Sequence, residues 1–264
     1  MISLQQVGKS YGSAKILDDI SFEVQPGEKV SILGPGGCGK STLLKLLLGL
    51  EKPNSGSISL LERDMVHASE NEKQETLRRV GMAFQQGALF DYMTVNDNIR
   101  FAMEHMTDLS DDEMEQVIDD LLLSLKLPRT KTMFPYELSG GMKRRIGIAR
   151  ALATDPVVAI FDEPTSGLDP VTSTIILNMI KELGQKDESR TLLISTSSVE
   201  IAIRFADRII LINEGRVVDD GDWRKMMIDG DDWVRHFLSV RLIGIDIEYA
   251  RELGLPDEFI KKHW

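Results

Sequence analysis

KVSILGPGGCGKSTLLKLLLGL (residues 29–50) reads as a short apolar strand, a glycine-rich loop and a helix in immediate succession. KVSIL is a short apolar run ending at glycine, which suits a buried strand, and STLLKLLLGL is a strong helix former. Between them GPGGCGKS (34–41) fits the pattern G-x-x-x-x-G-K-[ST], with the strand before and the helix after that the pattern requires. Glycines 34, 36, 37 and 39 allow backbone N–H groups to turn inward, and the helix that follows aims its positive end at the same point. The chemistry is that of a polyphosphate. The loop Gly34, Pro35, Gly36, Gly37, Cys38, Gly39 would wrap it, Lys40 would reach the β- and γ-phosphates, Ser41 would ligate Mg²⁺, and Thr42 would add a hydrogen bond. Cys38 reads as a small loop residue pointing away, though alkylation there is expected to block the loop sterically.

Outward from this loop, ISLQQV, ISFEV and SISLL are short β-rich runs separated by PGE and PNSG turns, so the first 62 residues are β-rich. A strand-like VGMAF (80–84) precedes a stretch of helical periodicity, roughly 95–155, broken at LPRTKTMFP. Then VVAIF (157–161), a helix near 171–185, TLLIS (191–195), a helix near 199–206 and RIILI (208–212) alternate. Strands alternating with helices predict an α/β fold with a mostly parallel core sheet, a β-rich N-terminal part and an inserted helical subdomain. Residues 1–222 are expected to form the main domain and 223–264 a helical tail, which holds Trp223, Trp233 and Trp264. These tryptophans either pack on the chain's own domain or dock on a neighbouring subunit.

Composition narrows the setting. Of 264 residues, 42% are hydrophobic and 28% charged, ordinary for a packed fold. One cysteine forbids an internal disulfide, no run of roughly 18 apolar residues could cross a bilayer, and the start MISLQQVGKSYGS has no signal pattern. A reducing, cytosolic setting is therefore expected. The net charge of −11 argues against nucleic acid as a partner. DLSDDEMEQVIDD (108–120) carries seven carboxylates and reads as a solvated helix face rather than a metal site.

Two further segments bear on chemistry. LSGGMKRRIGIARAL (138–152) is a second glycine-rich turn opening a helix, with Ser139 placed as its cap. VVAIFDEPTSGLDP (157–170) is an apolar strand delivering Asp162 and Glu163 at its carboxyl end, where ligands of α/β sheets gather. Phosphate loop, LSGG, an apolar run ending in DE, and SGLD occur in the order found in ABC ATPases, and residues 1 to about 220 resemble that family of P-loop NTPases.

The resemblance implies ATP and Mg²⁺ as ligands and assigns roles by position. Tyr11 matches the aromatic that stacks on adenine, although a strand tyrosine by itself is more often core. Gln85 matches the residue that senses Mg²⁺ or the attacking water, Asp162 the magnesium carboxylate, Glu163 the general base, and Asp169 the loop that joins two sites. It also implies that Ser139, Gly140 and Gly141 face the γ-phosphate held by a second copy of the chain. One departure stands out. Where the family places a histidine against the γ-phosphate, the segment TLLISTSSVEIA has Ser197, which can donate a hydrogen bond but carries no imidazolium charge. Weakened turnover, a water-bridged substitute at Thr196 or Ser198, and binding without hydrolysis all remain open; the first is favoured because Lys40 and Glu163 are both present.

FQQGALFDYMTVNDNIRFAMEHMTDLSDDEM (84–114) and Met142 in LSGGM are similar to the ATPase of Mla-type phospholipid transport systems. That resemblance implies a membrane permease, an MCE-domain lipid-binding protein, a small regulatory subunit, and a place on the cytoplasmic face of the inner membrane. Seven of the twelve methionines fall between 82 and 142, read either as an adaptable contact surface or as core filler. Competing classes are an ATPase of a cytosolic assembly machine and an ATP sensor with little turnover. A chromosome-organising ATPase is disfavoured, because fewer than 100 residues separate Ser41 from LSGG and no heptad run is present.

Overall fold

A computed structural model describes residues 1–85, 87–240, 242 and 247–263, so Trp264 lies outside the described residues. The chain opens with strands β1 (Ile2–Tyr11), β2 (Ala14–Val24) and β3 (Lys29–Leu33), helix α1 (Lys40–Leu47), strands β4 (Ser55–Leu60) and β5 (Arg63–Asp64), helix α2 (Glu70–Leu77) and strand β6 (Val80–Ala83). Helices α3 (Val95–Met106), α4 (Asp111–Ser124) and α5 (Gly140–Leu152) follow. The αβ alternation resumes with β7 (Val158–Asp162), α6 (Pro170–Lys186), β8 (Thr191–Thr196), α7 (Val199–Phe205), β9 (Arg208–Asn213) and β10 (Arg216–Asp222). The tail holds α8 (Trp223–Asp229), α9 (Asp232–Val240), α10 (Ile247–Glu252) and α11 (Asp257–His263).

Two sheets form. One is antiparallel, in the order β2-β1-β4-β5; the other runs β10-β9-β3-β8-β7-β6. In the second sheet β3, β6, β7, β8 and β9 pair in parallel, and only the edge strand β10 is antiparallel. The strand before the glycine-rich loop thus lies inside the sheet, between β8 and β9, which is why it is apolar along most of its length. Ser31 is the buried polar residue of the strand, and its Oγ donates to Ala202 O at 3.0 Å.

Among the described residues, three apolar clusters hold these layers. One joins the antiparallel sheet to α1 and the underside of β3 and β7, with Leu17, Leu43, Leu44 and Leu47 buried. A second joins α3, α4 and α5 to β7, β8 and α6 through Ile99, Ile118, Ile146, Phe161 and Ile180. The third packs the tail on β3, β9 and α7, with Trp223 fully buried among Leu33, Ala202 and Leu211. Trp223 and the partly buried Trp233 therefore pack on the chain's own fold.

Several segments differ from the sequence reading. α2, β5 and β10 were not expected. α2 (ENEKQETL) has no apolar stripe; it is held by a capping box between Ser69 and Glu72. β10 is acidic, and Arg208 on β9 binds both Asp220 oxygens at 2.9 Å and Glu28 at 2.8 Å, which raises the guanidinium pKa above its ordinary value. The acidic stretch 108–120 is largely exposed, as a solvated face requires, and ion pairs pin it: Arg100 bridges Asp111 and Glu115 while Lys131 bridges Glu115 and Asp119. Of the seven methionines, Met103 and Met114 are core and Met82, Met133 and Met142 pack against it; Met106 is exposed.

Candidate active site

The loop between β3 and α1 is shaped by its glycines. Gly37 and Gly39 have φ of 80° and 109°, in the left-handed region where a side chain is strained. A Cβ on Gly39 would also come within 2.5 Å of Leu17 Cδ2, so this corner has no room for another residue. Gly36 and Gly37, by contrast, face open space and lie exposed at the loop's tip. Lys40 starts α1; its Nζ donates to Gly34 O at 2.8 Å and Pro35 O at 3.1 Å, and its side chain is only 6% exposed. Ser41 is exposed and Thr42 half-buried on the same first turn. Cys38 is buried, and desolvation pushes its thiol pKa up despite the neighbouring Lys40 charge. It points inward, away from the loop's open side, so the expected block by alkylation needs an accessible thiol that the fold does not offer.

The second half of the site comes from β7. Parallel pairing with β8 puts Asp162 opposite Ser195, whose Oγ donates to Asp162 Oδ1. Glu163 follows in a left-handed turn at φ 47°, a conformation that costs a non-glycine residue about 1–2 kcal/mol. Its N–H donates to Ser195 O at 3.0 Å and lies 3.2 Å from Ser195 Oγ. That turn aims the carboxylate at the loop, leaving Glu163 Oε1 3.6 Å from Lys40 Nζ. Ser197 and Glu163 line one cavity of about 300 Å³ with Thr165, Ser166 and Gly167. Thr196 is buried and its Oγ1 accepts from Ser198 N, while Ser198 Oγ caps α7 at Ile201 N. Thr196 and Ser198 line the same cavity as Ser197 and Glu163, and their hydroxyl oxygens already accept from backbone N–H groups.

Gln85 lies two residues past β6, whose Ala83 pairs with Phe161, so register carries it alongside the end of β7. It lines a hollow of about 670 Å³ with Gly140, Gly141, Arg144, Ser166 and Gly167. Arg144 ties this hollow together, donating through Nε to Gln85 O at 2.9 Å and through a terminal nitrogen to Ser166 O. Burial pulls its pKa down, and the Glu163 carboxylate opposes that shift. Ser139 caps α5 by accepting from Met142 N at 3.3 Å, and both Ser139 and Gly140 are exposed. Asp169 opens α6: its carboxylate accepts from Thr172 N at 2.9 Å and Thr172 Oγ1 at 2.6 Å, which holds its pKa below the usual range.

Tyr11 ends β1 and is 47% exposed, so it is not core. Its hydroxyl donates to Glu51, which raises the phenol pKa; the Thr42 hydroxyl touches the same phenol, and Lys9 Nζ sits 4.9 Å from the ring centroid. An open aromatic face thus stands beside the first turn of α1.

The donors match a nucleoside triphosphate with a hard cation. Glycine backbone and a buried ammonium suit the phosphates, the Tyr11 face suits a base, and the Ser41 hydroxyl with the Asp162 carboxylate supplies the oxygen donors that Mg²⁺ prefers. Fold and site together define a nucleoside triphosphatase built on a parallel sheet. Residues 17–166 match the ABC transporter family. The chain is 37% identical over 226 residues to the methionine import ATP-binding protein MetN of Geobacillus kaustophilus, covering 84% of this chain and 66% of that protein. It is 35% identical over 243 residues to the probable ribonucleotide transport ATP-binding protein mkl of Mycobacterium leprae, covering 92% of this chain and 70% of that one. Among solved structures, the ATP-binding cassette MJ0796, a dimer in a post-hydrolysis state bound to ADP and Pi, aligns with a TM-score of 0.79 at 30% identity, over 84% of this chain and 98% of that one. The chain belongs to the ABC transporter family of ATP-binding subunits, ATPases that use ATP with Mg²⁺. Members of this family pair as dimers and work with membrane permeases; among the described residues here, no helix is long and apolar enough to cross a membrane.

Sequence reasoning missed Ser195 and Arg144. Ser195 carried a faint signal, a polar pair ending the otherwise apolar TLLIST; Arg144 stood in a basic run with nothing to single it out.

Proposed function

We propose that two copies of this chain form each active site together: Lys40, Ser41, Asp162 and Glu163 from one copy, and Ser139, Gly140 and Gly141 from the other. The observation that carries this reading is Gly140, exposed at the start of a helix, where a Cβ would meet no atom within 4 Å beyond its chain neighbours and its own helix backbone. Glycine there has no internal reason, and close approach of a second molecule's phosphate supplies one. Lys40 holds the β- and γ-phosphates, Gly34 to Gly39 wrap them, Thr42 adds a hydrogen bond, and Tyr11 stacks on adenine. Glu163 accepts a proton from the attacking water, and Ser197 donates one hydrogen bond toward the γ-phosphate. Ser41, Asp162 and Gln85 are the residues that would hold Mg²⁺, which when bound neutralises charge on the transferring phosphoryl group. Asp169 caps the helix that faces the twin. ATP turnover by Glu163→Gln tests the base: a rate equal to the parent's would remove Glu163 from that role.

The wider assembly is part of the same proposal. Residues 1–222 form the nucleotide-binding domain, with its helical subdomain at about 95–155, and 223–264 form a helical tail. A permease on the cytoplasmic face of the membrane meets a groove between the two halves of that domain, where Leu50 is 58% and Met106 39% exposed beside Leu77, Met82 and Phe84. Leu50→Asp is the better probe of this contact than changes at Leu89 or Phe90, because Leu89 packs on the core and Phe90 is clasped by Phe101 and Arg150. Retained permease in pull-downs of Leu50→Asp would exclude the groove.

For cargo, the resemblance of 84–114 supports phospholipid, with an MCE-domain protein and a regulatory subunit as companions. The relatives instead are named for methionine and ribonucleotide, and they differ from each other at nearly equal identity to this chain, so similarity at this level does not transfer a cargo. ATPase stimulation of the reconstituted transporter by phospholipid-loaded carrier, against stimulation by methionine, separates the two readings.

A further inference from the structure

We infer that a groove at the end of the molecule remote from the phosphate loop docks a cationic amphipathic helix of a protein partner. The groove, about 900 Å³, lies between α4, the C-terminal end of α5, the C-terminal half of α6 and the turn into β8. Its floor is apolar: Leu109, Val117, Leu121, Leu152 and Met179 line it. Its rim is acidic, with Asp108, Glu113, Asp120, Glu182 and Asp187. Arg190 is the cation among the described lining residues; it is 7% exposed and ion-paired to Asp155 and Asp187, so the charge of Asp108, Glu113, Asp120 and Glu182 is not countered by it.

Two helices end here, and their C-terminal carbonyls add negative potential to the rim. The combination selects its occupant. Anionic lipid and nucleic acid are repelled. A single metal ion is not accommodated, since no three His, Cys, Asp or Glu among the described residues cluster closely enough to ligate one. Carboxylates spread around an apolar floor match lysines and arginines spread around an apolar helix face.

The position gives such a partner leverage on hydrolysis. α5 begins at the exposed Ser139 turn and α6 at Asp169, and both run about 20–25 Å to this groove. An occupant bridging their far ends with α4 would set how the Ser139 turn meets the opposing phosphates.

Fluorescence anisotropy of the full chain tests this with a labelled synthetic helix of leucines and lysines, lysines along one face, beside a control peptide carrying glutamates instead. Asp120→Lys/Glu182→Lys reverses exposed rim charges, while Glu62→Lys/Glu214→Lys makes the same change in net charge elsewhere. The lysine peptide should bind the parent, weaken by about tenfold or more in the rim variant, and change by less than about twofold in the control variant. Equal loss in both variants, equal binding of the glutamate peptide, or no binding by the parent would overturn the inference. Unchanged circular dichroism of the rim variant excludes unfolding as the cause.

Discussion

The chain has two glycine-rich turns that each open a helix, and they are built differently. In the loop 34–39, Gly39 is forced by its own surroundings, with φ at 109° and Leu17 against it, and Lys40 is buried on the loop's carbonyls beside Glu163. In the turn 139–141, Ser139 is an ordinary cap at φ −64°, and a Cβ on Gly141 would meet only Leu168 Cδ2, at 3.2 Å. The first turn is a finished site within one molecule. The second is exposed and lightly constrained by its own chain, as the proposed half-site for another molecule's nucleotide requires. Glycine in a helix costs roughly 0.5–1 kcal/mol relative to alanine, so keeping it where nothing inside the chain requires it points outside.

Substitutions can break or sharpen that contrast. The largest effect belongs to Glu163→Gln, which should lower steady-state ATP hydrolysis by roughly 10²–10⁴-fold while leaving nucleotide binding intact. Gly39→Ala comes next: strained backbone and a clash with Leu17 should destabilise the fold by a few kcal/mol, read in thermal melts, and abolish binding of a fluorescent ATP analogue. Gly140→Ala should do the opposite to stability, raising it by up to about 1 kcal/mol, yet reduce ATPase activity by placing a methyl where the second copy's phosphate approaches. A stabilised Gly140→Ala protein with full activity would end the distinction between the turns. Ser197→His should raise turnover by about tenfold, the worth of one added charged hydrogen bond.

The smallest effect concerns Cys38. Burial raises its thiol pKa in the fold, so the neutral form is favoured, and stability from this group is lost as pH rises past the ordinary thiol range. Alkylation by iodoacetamide near neutral pH should be slow in the native protein and fast in denaturant; rapid native modification would contradict the inward orientation.

Legibility followed the distance over which each feature is determined. The glycine loop, Lys40 and the DE pair were readable because a strand, a tight turn and a helix start are encoded within a few residues. Tyr11 was ambiguous in sequence, since a tyrosine at a strand end is core or surface according to what crosses it. Ser195 was invisible as the partner of Asp162 because they meet only through the pairing of β7 with β8. Arg144 joins Gln85 to Ser166 across three separate segments, and no local pattern marks it. β10 and α2 were missed because ion pairs and a capping box, not apolar periodicity, hold them. The tail was undecidable from Trp223 alone, and the packing of β9 and α7 decided it.

Light scattering of the Glu163→Gln protein with ATP and Mg²⁺, its permease supplied where needed, weighs the shared site most directly. A particle holding two 29.6 kDa chains, which falls back to single chains when Ser139 is also replaced by a bulky residue, is the predicted result. A Glu163→Gln chain that binds ATP and stays single under every condition would contradict it.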